Sequence, residues 1–167
     1  RSAYQDALRR LARRDHSEHE LRAALGRRGH SEEAVDRALE RLRRSGYVDD
    51  RSYALRFART RLRHQGLGRA RIRAALRARG VEREILEEGL SAALGEIGED
   101  QVLDRLACRY WEQHRRDPPA RRLRKLWAFL IRRGFPGALV AERLRALFSD
   151  RGDEIEGLSL AAEGETT

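Results

Sequence analysis

One hydrophobic pattern occurs three times along the chain. From Leu21, Ile72 and Leu126, apolar residues fall at i, i+3 and i+4, and a glycine follows at i+8: Gly29, Gly80 and Gly134. Six and ten positions beyond each glycine apolar residues return, as Val35 and Leu39, Leu86 and Leu90, Val140 and Leu144. The i, i+3, i+4 spacing is one face of an α-helix. A glycine just past such a run supplies the left-handed residue that closes it, so each copy predicts two helices joined by a tight turn. The glycines stand 51 and then 54 residues apart, a period that marks a repeat array.

The residues between the stripes agree. Ser17 with Glu20 three positions on is a capping box. Ser31, followed by Glu32 and Glu33, starts a helix with a cap and acids at its positive end, and Pro136 fits a first helical turn. Upstream of each pair lies one more helix, over 3–14 (Tyr4, Ala7, Leu8, Leu11), 51–65 and 100–115, the last ended by Asp117-Pro118-Pro119. The expectation is an all-α chain of nine helices in three tandem three-helix, helix-turn-helix-like repeats, at 1–48, 49–96 and 97–149. Units of roughly 50 residues are marginal alone, so neighbours should pack end to end into an elongated, curved array. Residues 150–167 are acidic with no sustained period and are expected to form a disordered tail.

Charge changes this picture. The net charge of +9 is divided as −5 on 149–167 and +14 on the remainder. Such a body favours nucleic acid or another anionic surface, whatever its fold. Within it, residues 51–79 hold ten arginines and no acid, while Ala54, Phe57, Ala58, Leu62 and then Ile72, Ala75, Leu76 keep the helical rhythm. Like charges at i, i+4 weaken a helix, so these two polar faces point to an external polyanion. Lys125 is the only lysine; that preference explains arginine over lysine but not the missing acids. Arg56, Arg59, Arg63, Arg69, Arg71, Arg73 and Arg77 are the candidate phosphate or acidic-partner contacts, with Tyr53 the aromatic among them. Each phosphate neutralised on a single strand should add roughly −0.7 to the salt slope.

Other features read as architecture. Gly66-Leu67-Gly68 lacks the preceding strand and third glycine of a dinucleotide loop and reads as a helix break. Asp49 and Asp50 open a helix as caps and dipole partners, and Tyr47 with Val48 should fasten the first repeat to the second. His16 and His19 have no third metal ligand nearby. Trp111, Trp127 and Phe129 fall at packing positions. Cys108 excludes an internal disulfide and sits in the run Val102, Leu103, Leu106, Ala107, Tyr110 as an expected small core residue. No nucleophile–base pair, phosphate loop or ligand cluster stands out, so neither an enzyme nor a bound cofactor or metal is expected. No apolar run nears the roughly 20 residues of a membrane span and no signal-like segment is seen, so a cytoplasmic monomer is expected.

The phrase RRDHSEHEL (13–21), the stretch SGYVDDRSYALRFARTRLRHQGLGRARIRAALRARGV (45–81) and RRGF (132–135) together resemble the RecX family, bacterial regulatory proteins that modulate the recombinase RecA. The resemblance covers about 3–149, is looser in the third repeat and leaves the acidic tail outside. It implies a non-enzymatic protein that binds along the groove of the RecA–single-strand DNA filament. There it would inhibit ATP hydrolysis, filament growth and strand exchange, and so modulate recombinational repair and the SOS response. Two rivals rest on the residues alone: a RecA-independent binder of single- or double-stranded nucleic acid, and a helical adaptor that docks an acidic protein.

Overall fold

Each apolar stripe is a helix in the computed structural model, which describes residues 2–164. The order is α1 (Ala3–Leu11), α2 (Glu18–Gly26), α3 (Glu32–Arg44), α4 (Asp50–Gln65), α5 (Arg69–Ala78), α6 (Arg83–Ile97), α7 (Glu99–Gln113), α8 (Pro119–Arg132), α9 (Gly137–Leu147), a 3-10 turn (Ser149–Arg151) and α10 (Gly152–Gly164). No strand occurs among the described residues. Helices α1–α3, α4–α6 and α7–α9 are the three repeats. The caps form as the residues dictate. Ser17 Oγ accepts from the Glu20 N–H at 3.1 Å while the Glu20 carboxylate accepts from the Ser17 N–H at 3.0 Å, and Ser31 accepts from Ala34.

By contact the described residues resolve into two units, 2–58 with 73–92 and 59–72 with 93–164. The boundaries fall inside α4, α5 and α6 and not between repeats, so the middle repeat is divided between the two units. In the first unit, Leu21, Leu25, Val35, Leu39 and Leu42 close under Ala3 and Ala7 of α1. Tyr53, Ala54, Leu76, Leu86 and Leu90 are buried there too. In the second unit, Leu62, Ile72, Leu103, Leu123, Leu126, Leu130 and Leu144 are fully or almost fully buried.

Three expectations are corrected. The stretch read as a disordered tail is helical over Gly152–Gly164, with 165–167, including Glu165, outside the described residues. One residue anchors it: Ile155 is completely buried. Asp153 and Glu154 sit in its first turn and Glu156 pairs with Arg145, so its acids meet a positive helix end and a cation. Cys108 is exposed, since it lies one position past the buried Ala107 and the helix turns it away from the stripe. Tyr47 is 57% exposed; Val48, 5% exposed, alone enters the core at that turn.

The first helical turn of a middle helix has backbone N–H groups without intrahelical partners. In this protein the following repeat supplies them. Within the first unit, Asp50, the first residue of α4, accepts the Glu18 N–H at the start of α2 (2.9 Å). Ser17 Oγ donates to the Arg79 carbonyl at the end of α5 (2.6 Å), and Gly80 lies so near His19 that an added Cβ would come within 2.5 Å of its Cβ. Within the second unit, Glu99, the first residue of α7, accepts the Arg69 N–H at the start of α5 (2.9 Å). The Gly68 N–H donates to the Arg133 carbonyl (2.8 Å) and the Ala70 N–H to the Gly134 carbonyl (3.0 Å). Ser17 corresponds to Gly68 and Arg79 to Arg133 in the repeat, so one joint is built twice, once through a side chain and once through backbone alone.

Ser17 therefore serves its own helix and the next repeat. Ser17→Ala is expected to cost about 2 kcal/mol, the sum of a lost cap and an orphaned carbonyl, read as a lower urea midpoint. Ser17→Asp keeps the cap but places an acceptor against the Arg79 carbonyl. It should therefore recover none of the second part; full recovery would assign the whole loss to capping.

Candidate polyanion contacts on the arginine-rich helices

The acids absent from residues 51–79 are supplied by other parts of the chain. Arg56 meets Asp15 at 3.0 Å. Arg59 grips Glu96 with two bonds, 2.7 and 2.5 Å. Arg73 donates to Glu87 at 2.6 Å, and Arg51 pairs with Glu88. Arg69 is the most deeply committed: its guanidinium and its backbone N–H both bind Glu99, at 2.5 and 2.9 Å, and Glu99 is 4% exposed. The local lack of acids therefore does not by itself require an external polyanion for these five positions.

Three of the expected contacts have a different status. Arg63 and Arg71 in the second unit, and Arg77 in the first, are exposed, and none forms an ion pair among the described residues. Arg71 donates to the Arg132 carbonyl at 3.3 Å, which orients it without neutralising it. Of the neighbouring arginines, Arg61 donates to Gln65 at 2.6 Å. Arg79 lies 4.7 Å above the Phe57 ring and donates to the Ala75 carbonyl. Arg63, Arg71 and Arg77 are the guanidinium groups of the run best placed to take a phosphate or an acidic partner, through charge-assisted, forked hydrogen bonds.

Tyr53 is placed as a packing residue. It is 4% exposed and its hydroxyl donates to Glu20 at 3.3 Å; burial, with the neighbouring Glu20 charge, pushes its phenol up to about 12. An aromatic so enclosed offers no face to a base. Asp49 accepts from the Arg51 N–H and from the Ser52 hydroxyl at 3.0 and 2.7 Å, and the Ser52 bond holds its carboxyl below the ordinary range. Burial pushes the Asp50 carboxyl the other way. Gly66 has φ +60° beside Leu106, while Gly68 meets the turn after α8. His16 is buried, its Nδ1 3.0 Å from the Arg14 carbonyl, and burial lowers its pKa. Trp127 is buried, Phe129 stacks on Tyr110 at 4.8 Å, and the Arg122 guanidinium covers Trp111 at 3.9 Å. Among the described residues no group of three or more His, Cys, Asp or Glu could hold a metal ion. No helix there is long and apolar enough to cross a membrane.

The residues that sequence reasoning missed are the acids. Glu99 had a readable signal, since it opens the first helix of its repeat as Asp50 does. Glu87 and Glu96 had none beyond facing helices. Hydrogen bonds from Arg73 and Arg59 hold these two carboxyls below the ordinary 4.5. A lowered folded-state value means that the pairs stabilise the protein above that ordinary value and cease to do so as pH falls through the lowered ones. Carboxyl titration by NMR is expected to place both midpoints under 4.5, and Arg73→Gln should return Glu87 toward it while leaving Glu96 where it was.

Comparison with known proteins gives these helices a family. The first, second and third three-helix domains of RecX match residues 3–42, 49–90 and 98–143 in that order. A "Regulatory protein RecX" of Thermus thermophilus is 42% identical over 139 residues, covering 83% of this chain and 87% of its own. Another, of Geobacillus kaustophilus, is 34% identical over 169 residues and covers 98% of this chain, which spans 61% of that relative's length. A crystal structure of regulatory protein RecX superposes with a TM-score of 0.74 at 25% identity, covering 89% of this chain and 71% of that one. RecX from Lactobacillus salivarius gives 0.78 at 19% identity, with 87% and 94% covered, and so shares the fold. With all three domains matched in order and 42% identity to a relative over 83% of its length, the chain belongs to the RecX family of regulatory proteins.

Proposed function

We propose that this protein regulates the RecA recombinase by binding along the groove of the RecA–single-strand DNA filament. It inhibits ATP hydrolysis, filament growth and strand exchange, and does no chemistry of its own. By that route it modulates recombinational repair and the SOS response in the bacterial cytoplasm. The observation that carries the reading is the match of all three three-helix domains, in order, over 3–143. The uncompensated charge on Arg63, Arg71 and Arg77 supports it, since a nucleoprotein filament offers both phosphates and carboxylates to such groups. Arg56, Arg59, Arg69 and Arg73 act in this reading as the frame that holds α4 and α5, and Tyr53 as part of their packing.

The test is single-strand-dependent ATP hydrolysis by RecA while this protein is titrated in well below one per RecA protomer. Strong inhibition at such ratios is expected, because one molecule bound in a filament affects many protomers. A second reading, a nucleic-acid binder that acts without RecA, is favoured by the same three arginines. It predicts inhibition only once the DNA is coated. That outcome would overturn the filament reading.

A further inference from the structure

A second basic feature lies outside the arginine-rich run. Helix α1 carries Arg9 and Arg10 in its last turn, the chain continues through Arg13 and Arg14, and Arg28 follows the end of α2. Together with Asp6 and His16 these residues line an open cleft of about 590 Å³, well within the size range of ligand sites. Two of the arginines are fixed in place. Asp6, 4% exposed, takes Arg28 at 2.9 Å and also His30 at 2.9 Å, and Glu20 takes Arg14 at 3.2 Å. Arg9, Arg10 and Arg13 form no ion pair among the described residues. The cleft therefore sets five guanidinium groups against one lining carboxylate, Asp6, with Glu20 holding Arg14 from outside the lining.

Basic residues in a last helical turn often serve the helix's own carbonyls. Here two of those carbonyls are already served by main chain: the Leu8 carbonyl accepts from the Ala12 N–H, and the Arg10 carbonyl from the N–H groups of Arg13 and Arg14. The three unpaired guanidinium groups have no such internal task. A paired arginine also keeps unused N–H donors, since a guanidinium carries five. The one aromatic ring in the lining is the imidazole of His16, which is buried with its Nδ1 3.0 Å from the Arg14 carbonyl, so the cleft offers no exposed ring on which to stack a base.

We propose that this cleft is a phosphodiester-binding site, in which Arg9 and Arg13, one turn apart on α1 and its extension, each neutralise a backbone phosphate of a single strand. Arg28 and Arg14 form its fixed walls. Contacts of this kind position a strand without reading its sequence. The assignment does not depend on RecA and stands or falls with nucleic acid alone.

The experiment is fluorescence anisotropy of labelled oligothymidylate with the whole protein across a range of KCl concentrations. The Arg9→Ala/Arg13→Ala variant is expected to bind more weakly with a salt slope shallower by about 1.4, two phosphates at roughly 0.7 each. The loss should be equal for oligonucleotides of other sequences. Arg9→Lys/Arg13→Lys should keep the slope, and a coincident thermal melt excludes unfolding of the alanine variant. An unchanged slope overturns the proposal. Inorganic pyrophosphate competing as well as the oligonucleotide would also overturn it, in favour of a small polyphosphate. Unchanged DNA binding with lost inhibition of RecA would overturn it in favour of protein carboxylates.

Discussion

Replacing Gly68 by alanine is expected to cost about 3 kcal/mol of folding stability. A Cβ at this position would stand 2.5 Å from the Gly134 carbonyl oxygen and nearer still to the adjoining backbone of Gly134 and Phe135. Those neighbours are main chain, so no rotamer change relieves the clash. Separation of the two segments would stretch the bonds from the Gly68 and Ala70 N–H groups, 2.8 and 3.0 Å long, and expose four polar groups that have no other protein partner in that joint. For a chain of this size the melting temperature should fall by roughly 10 °C. Gly95→Ala is the control: it lies in α6 with nothing within 4 Å of an added Cβ, and should stabilise by about 0.5 kcal/mol or more. A Gly68→Ala protein that melts with the wild type would mean that the two turns do not touch as described.

Charge reversal should divide the arginines into two classes. Arg69, Arg71 and Arg73, three of the candidate contacts on one helix, do not form a clean triple probe. Arg69→Glu sets one carboxylate against another at Glu99, which is 4% exposed. Removing one partner of a buried pair costs about 3 to 5 kcal/mol. Since Arg69 itself is 42% exposed, the lower end, about 3 kcal/mol, is expected. Loss of inhibition in that variant would report unfolding. Arg63→Glu/Arg71→Glu/Arg77→Glu removes no ion pair among the described residues and should melt within a few degrees of the wild type. The same variant should need more than about tenfold higher concentration to inhibit RecA, the equivalent of ~0.5 kcal/mol from each of three contacts. Full inhibition by a stable triple variant would remove these residues from the interface.

The helices were legible because their signal is local. A stripe at i, i+3, i+4, a serine cap and a closing glycine act within one or two turns, and α2, α3, α5 and α8 follow them closely. Partners distant in sequence were not legible. Arg59 finds its acid 37 residues ahead, Arg69 30 ahead, and Arg56 41 behind, so counting acids inside 51–79 could not show which guanidinium groups were already neutralised. The helix at 152–164 was missed for a related reason: a single isoleucine, completely buried, anchors it without producing a period. Tyr47 departs in the opposite direction, as an aromatic beside a glycine turn that stays more than half exposed while its neighbour Val48 enters the core.

The joint described above also gives the series a polarity. The start of α2 is completed by residues of the second repeat and the start of α5 by residues of the third, while the carbonyls that close α5 and α8 are met from the repeat before. Helix α8 opens differently: it is entered through Pro118 and begins at Pro119, one turn earlier in the repeat than α2 and α5, and these two residues have no N–H to leave unmet.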